Sequence, residues 1–317
     1  MTLPGYNHKF GQNIMTDIEG VDIDRAFLAH YHIAAADAVE GSSDGVHAAM
    51  NLGAAVQAIT TGITDPAVPR NIRIDGNVSG ITGKVKITGT DFAGTVITEE
   101  IQADGATAKD GVLAFKTVTK IDLPVQNHTP VKQVETATAA GTVTTTGNAA
   151  VTVKSVLFDA DEVVAVPVKL NDDANAIALA IRTALAANDT IAAHFDVSGA
   201  DAAVILTAKL AAANDNTLNI AIDNGTGDGA SAGVTPAATS ANTTAGVPYD
   251  QISVGWGDKF GLPYKLYADE LVILKLFNKA KETTEGTITA DADDLAKNVY
   301  DPHDTTLGVD IDLYIIV

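Results

Sequence analysis

The sequence predicts a mainly β protein: an antiparallel β-sandwich or barrel-like domain with an inserted small α+β domain that contains one clear helix. Three observations carry this expectation. Across residues 69–124, short apolar and polar alternations are punctuated by glycine turns. One helical stripe, Ile177, Ile181 and Leu185, stands alone in the middle of the chain. The closing residues set Val309, Ile311, Leu313, Ile315 and Val317 on one face of a strand.

Taken in order, residues 1–25 mix Gly, Asn and Asp with a few hydrophobes and show no period. They read as an N-terminal arm, ordered only where something such as a partner subunit ties it down. Residues 26–36 are apolar and alanine-rich around His30, Tyr31 and His32, and the pattern leaves helix and strand both open. About four strands are expected in 68–124. Over 84–88, Val85 and Ile87 fall on one face and Lys84, Lys86 and Thr88 on the other, as in a sheet with one wet side. Residues 89–94 hold two glycines and Asp91, so the chain should reverse there and return along 95–101 as an antiparallel hairpin.

The composition then changes. Residues 135–150 and 225–246 are rich in Thr, Ala and Gly and read as low-complexity linkers that tether what lies between them. Inside, 151–157 and 163–168 are strand-like, and Asp172-Asp173 stands as an N-cap. The helical stripe follows with Ala178, Ala180 and Ala184 beside it, and Asn188-Asp189 ends the run. Strands resume at 203–207 and 218–222, which gives one helix packed on a sheet. Beyond 246, strand patterns return at 270–277, 286–290 and 309–317. The backbone of a closing strand needs partners, so 248–317 is expected to complete the sheet begun in 68–124. The expected domains are thus the arm 1–25, a discontinuous β domain of 26–136 and 247–317, and an inserted α+β domain of 137–246.

Composition bounds the class. A chain of 317 residues with 46% hydrophobic content can bury ordinary cores and suits two domains more readily than one. With 40 acidic against 20 basic side chains, the net charge of −20 opposes a phosphate backbone, so no direct nucleic-acid partner is expected. The same field opposes anionic membrane surfaces, and no apolar run is long enough to span a bilayer. Residues 1–10 lack the charged and apolar regions of a secretory signal, so export by that route is not expected. The absence of cysteine excludes disulfides, thiolate metal sites and a cysteine nucleophile.

Candidate chemistry is sparse. The run Gly229-Ala-Ser231-Ala-Gly233 spells a hydrolase nucleophile elbow, but it sits in an Ala/Gly/Thr stretch followed by Pro236, with no helix expected after it. His30 and His32 would share a face on a strand and could form part of a metal site, joined by Asp301, His303 and Asp304 only if the fold brings them near. Ordinary interface or partly buried histidines are the favoured expectation. Asp291, Asp293 and Asp294, like Asp159, Asp161 and Glu162, lack the ligand spacing of a calcium loop, and the first group is better explained as a helix start or solvated loop. Trp256 between glycines is expected to be a packing anchor or subunit contact. No phosphate-binding glycine loop with its lysine occurs. No catalytic, cofactor-binding or metal-binding residue is therefore assigned, and no enzymatic activity is expected.

Three stretches resemble a family of tailed-phage virion proteins found among head and tail structural genes: the run Ile252-Ser-Val-Gly-Trp256-Gly-Asp-Lys-Phe-Gly-Leu-Pro-Tyr-Lys-Leu266, the strand region 71–124 and the closing 309–317. The resemblance covers roughly 25–130 and 248–317 and rests on overall pattern. Over 214–227, Asn-Asp-Asn-Thr-Leu-Asn-Ile-Ala-Ile-Asp-Asn-Gly-Thr-Gly, the insert resembles a small domain that recurs in phage tail tube and other virion proteins. The resemblance implies a structural protein of the virion, assembled in the host cytoplasm, with a capsid decoration or cement role as the leading expectation. Its implied partners are the major capsid protein or other virion subunits, and further copies of itself in a homo-oligomer. A tail tube or other tail protein is the alternative, and a surface glycan-binding module a second one.

Overall fold

In a half-buried strand every second side chain turns inward, and here the inward positions are aliphatic and mostly β-branched. Val85 and Ile87 on the Lys84–Thr90 strand are fully buried while Lys84 and Lys86 are exposed. The computed structural model describes residues 28–281, 284, 286–303 and 307–316, with the backbone of 14–15 and 22–23. Strands make up 49% and helices 9%, so the chain is mainly β, and its sheets are antiparallel. The expected arm lies outside the described residues, except that Ile14–Met15 and Asp22–Ile23 pair antiparallel. The segment left open at 26–36 contains a strand, Leu28–Ile33.

By its contacts the chain divides into two compact units, Met1–Gln126 with Gln251–Val317, and Asn127–Asp250. The expected bounds of 137 and 246 differ from this. Residue 137 lies within the Val134–Thr138 strand, whose partners Ala203–Ala208 and Ala241–Thr244 belong to the second unit, so hydrogen bonding carries the boundary outward.

The first unit holds a sandwich. One sheet centres on the long Gln251–Gly261 strand, which pairs with Arg70–Gly76 on one side and with Ser42–Asn51 and then Val299–Asp301 on the other. The second sheet runs Gln57–Ile59, Thr117–Leu123, Lys84–Thr90, Val96–Gln102. Ile72, Ile74, Ile252 and Val254 from the first meet Val85, Ile87, Ile121 and Leu123 from the second in one core. Region 68–124 has five strands where about four were expected, because Lys109–Phe115 and Thr117–Leu123 are separated by the single residue Lys116. The hairpin turn is tighter than the glycines imply: Gly89 and Thr90 stay in the ladder, and Asp91 closes the turn by accepting from the Thr95 N–H at 2.8 Å.

A further sheet of this unit runs Ala280–Lys281, Val272–Phe277, Ile311–Ile316, Leu28–Ile33. Its inward face, with Ile33, Val272, Ile311, Leu313 and Ile315, packs on Phe260 and Tyr300 from the Gln251–Gly261 and Val299–Asp301 strands. The closing strand is thus paired on both sides, by Val272–Phe277 and by Leu28–Ile33, but in a separate sheet; of 248–317 it is Gln251–Gly261 that joins the sheet begun in 68–124, beside Arg70–Gly76.

In the second unit the helix Ala174–Ala186 starts at Asp173, whose carboxylate accepts from the Ala176 N–H at 2.9 Å. Ile177, Ile181 and Leu185 are fully buried against Val151, Val166, Val204 and Leu206. Each such burial is worth about 1.5–3 kcal/mol. Asn188 follows this helix and caps a short second one, Asp189–His194, which the sequence pattern does not signal. The two stretches expected as linkers contain strands of this unit. Gly141–Thr145 pairs with Ala232–Val234, and Val134–Thr138 pairs with Ala241–Thr244. Their Thr and Val residues favour extended backbone, and Gly233 takes a positive φ of 93° where the Ala232–Val234 strand closes on Gly141–Thr145.

Candidate functional site

The Leu28–Ile33 strand alternates, so His30 and His32 share its outward face while Tyr31 and Ile33 turn the other way. The antiparallel register with Ile311–Ile316 sets His32 directly opposite Asp312 and His30 opposite Tyr314. Three ligand-type side chains therefore meet on one point of a two-stranded ladder. His30 Nε2 lies 2.7 Å and His32 Nδ1 2.8 Å from the same oxygen, Asp312 Oδ1. The His30 ring stacks on Tyr314 at 4.6 Å and 11° between planes. Both imidazoles are 47% exposed, and the carboxylate between them is mostly buried.

Burial raises the Asp312 carboxyl, but hydrogen bonds from His30 and His32, and their charge, outweigh it and hold the group below the usual aspartate range. An ionised carboxylate only accepts, so both ring nitrogens facing it carry protons in this arrangement. The chemistry available is that of two imidazoles and one carboxylate on rigid backbone, open to solvent on one side.

The other sequence candidates are separated from this point in role. Ser231 is buried and donates its hydroxyl to the Asn224 carbonyl at 3.1 Å; a strand, Ala232–Val234, follows it, so the strand-turn-helix of a nucleophile elbow is not formed. Asp301 pairs with Lys259 at 3.4 Å, His303 is exposed, and Asp304 lies outside the described residues. Asp291 accepts from the N–H groups of Asp293 and Asp294, and Asp294 caps the short 3-10 helix Leu295–Lys297, the helix start that the sequence favours. Asp161 pairs with Lys154 at 2.9 Å, Glu162 accepts from Asn188, and Asp159 is exposed. Trp256 packs against the sandwich core, the anchor role expected of it. Asp312 was missed by sequence reasoning. Its only signal was a polar position within the closing alternation, which marks it as outward-facing but not as the partner of His30 and His32.

The second unit carries an apolar recess of about 170 Å³ lined by Val156, Leu157, Phe195 and Leu210, with His194 and Lys209 at its side. Leu210 is 77% exposed there. Lys209 is held in place by donating to the Ala192 carbonyl.

Comparison with protein-family models, with curated proteins and with solved structures gives no match. Among the described residues, no helix is long and apolar enough to cross a membrane.

Proposed function

We propose that this chain is a structural protein of a tailed-phage particle that works by adhesion, and that it is a capsid decoration protein. Each copy binds the major capsid protein and neighbouring copies of itself, and the area buried between subunits raises the cost of separating them. The observation that carries this reading is the set of apolar side chains left at the surface of both units. Leu28, Val96, Val112 and Ile273 project from strands of the first, and Val156, Leu157 and Leu210 rim one recess in the second. The three side chains around the recess form one apolar surface, which fits contact with another subunit. The net charge of −20 suits the outside of a shell filled with nucleic acid, since it discourages sticking to the packaged polymer.

The test is to label purified particles with an antibody fragment against this chain and to image them. Label distributed over heads in many copies supports decoration. Label confined to tails moves the chain to the tail tube, and particles that lack the chain altogether overturn the proposal.

A further inference from the structure

We propose that His30, His32 and Asp312 form a binding site for a divalent transition-metal ion of the zinc, cobalt, nickel and copper group. The inference stands on the local geometry and holds whether or not the chain belongs to a particle. Three residues whose ligand atoms all lie within 4.8 Å of one another converge from two hydrogen-bonded strands. Sites on strands are held more precisely than sites on loops. Two imidazole nitrogens and one carboxylate oxygen are the donor set of borderline metals, whereas calcium and magnesium prefer all-oxygen sites.

The fit needs the three ligand atoms to take up one common spacing. Ligand atoms around an ion bound at 2.0–2.2 Å sit about 3.0–3.4 Å apart, depending on whether the geometry is octahedral or tetrahedral. The present nitrogen–oxygen separations of 2.7 and 2.8 Å must therefore open by a few tenths of an ångström, and the two ring nitrogens, within 4.8 Å of each other, must come to the same spacing. Half-exposed side chains can do this by small rotations. The ring protons now aimed at Asp312 Oδ1 must also leave those nitrogens, moving to His30 Nδ1 and His32 Nε2 through solvent or being released. Stacking on Tyr314 restricts the tilt of the His30 ring and so keeps its Nε2 aimed at the ladder. The remaining coordination positions face outward and are filled by water, so the site is open, with three protein ligands.

The experiment is calorimetric titration of the full chain with Zn²⁺, paired with the visible absorption spectrum of bound Co²⁺. The expected result is saturable Zn²⁺ binding at one equivalent per chain and a Co²⁺ spectrum that Zn²⁺ displaces. Losing a partner outside the ligand shell already costs about 10–100-fold in affinity, so His32→Gln and Asp312→Asn should each weaken binding roughly tenfold or more. His47→Gln, on a different sheet, should leave binding unchanged. If His32→Gln fails to fold by circular dichroism, the near-isosteric Asp312→Asn decides. No saturable binding by the unaltered chain, or equal affinity in the cluster variants, overturns the proposal.

Discussion

The indole of Trp256 lies directly over Gly45. A Cβ built on Gly45 would sit 2.5 Å from the ring's Cη2, closer than real Cβ atoms come. The Ser42–Asn51 and Gln251–Gly261 strands pair across this point, and the missing side chain is what lets the ring settle against the sandwich core. Gly45→Ala should therefore destabilise the first unit by about 1–3 kcal/mol, the usual cost of overpacking. Trp256 is the only tryptophan in the chain, so its fluorescence reports the displacement without interference. An unshifted emission maximum together with an unchanged urea midpoint would count against this packing.

Arg70 is almost wholly buried in the same unit. Its guanidinium stacks 4.5 Å from the centroid of Phe260, donates to the Val39 carbonyl at 2.7 Å and lies 3.7 Å from Asp258. Burial lowers its pKa to about 10 despite the opposing charge of Asp258. Arg70→Ala opens a cavity and strips the Val39 carbonyl of its donor, with an expected loss of about 2–5 kcal/mol. Arg70→Met fills the space with apolar atoms and should recover much of that loss. Chemical denaturation of the two variants side by side is the check, and equal losses would show that volume is not the deciding quantity.

Ile181 sits at the centre of the helix stripe, fully buried in the core of the second unit. Ile181→Ala should cost about 2–5 kcal/mol, whereas Ala186→Ser near the exposed end of that helix should cost well under 1 kcal/mol. Residue-resolved hydrogen exchange at Val151 and Val204, on strands packed in that core, reads both effects in the full chain. Equal protection in the two variants would contradict the burial assigned to Ile181.

The second unit should be most stable in mildly acidic solution. Burial, with the nearby charge of Asp215, raises the Glu135 carboxyl above its ordinary value, and the Ser240 hydroxyl only partly offsets this. A raised carboxyl penalises the folded state at neutral pH, and the penalty is relieved as pH falls through the folded pKa towards the unfolded value of about 4.3. Asp250 and Asp215 have the opposite sign. Burial alone would raise both, but hydrogen bonds from His128 and Asn127 to Asp250, and from Thr217, Val156 and Ser155 to Asp215, hold them below the usual range. Their contribution is fully present above the unfolded value of about 3.9 and is lost as pH falls through the folded values. Exchange protection in the second unit should thus rise slightly from neutral pH towards pH about 4.5 and drop below about 4. Glu135→Gln should remove the rise. Asp250→Asn should flatten the drop and cost about 1.5–3 kcal/mol at neutral pH. A profile that is level across the acid range in the unaltered chain would refute this assignment.

Much of the local structure was legible. The inward set on Lys84–Thr90 and on Ile311–Ile316, the Asp173 cap and the Ile177 stripe all follow from periods of 2 and 3.6, which neighbouring residues carry among themselves. The stretches at 135–150 and 225–246 were not legible, because their Thr, Ala and Gly composition fits linker and strand alike. Only when Val134–Thr138 has Ala203–Ala208 on one side and Ala241–Thr244 on the other does the ladder favour strand. The short helix Asp189–His194 was hidden for a similar reason, since two turns hold too few residues for a period to stand out.

By itself the sequence determined which faces would be dry, that the protein would be mainly β, and where its long helix would begin. The tertiary structure decided which strands are neighbours, and with that the convergence of His30, His32 and Asp312. His30 and Asp312 are separated by 282 positions, and nothing in the residues around either one specifies the other. Their meeting depends on register between distant strands, which is set by the core packed beneath the sheet and by the closure of the chain between them.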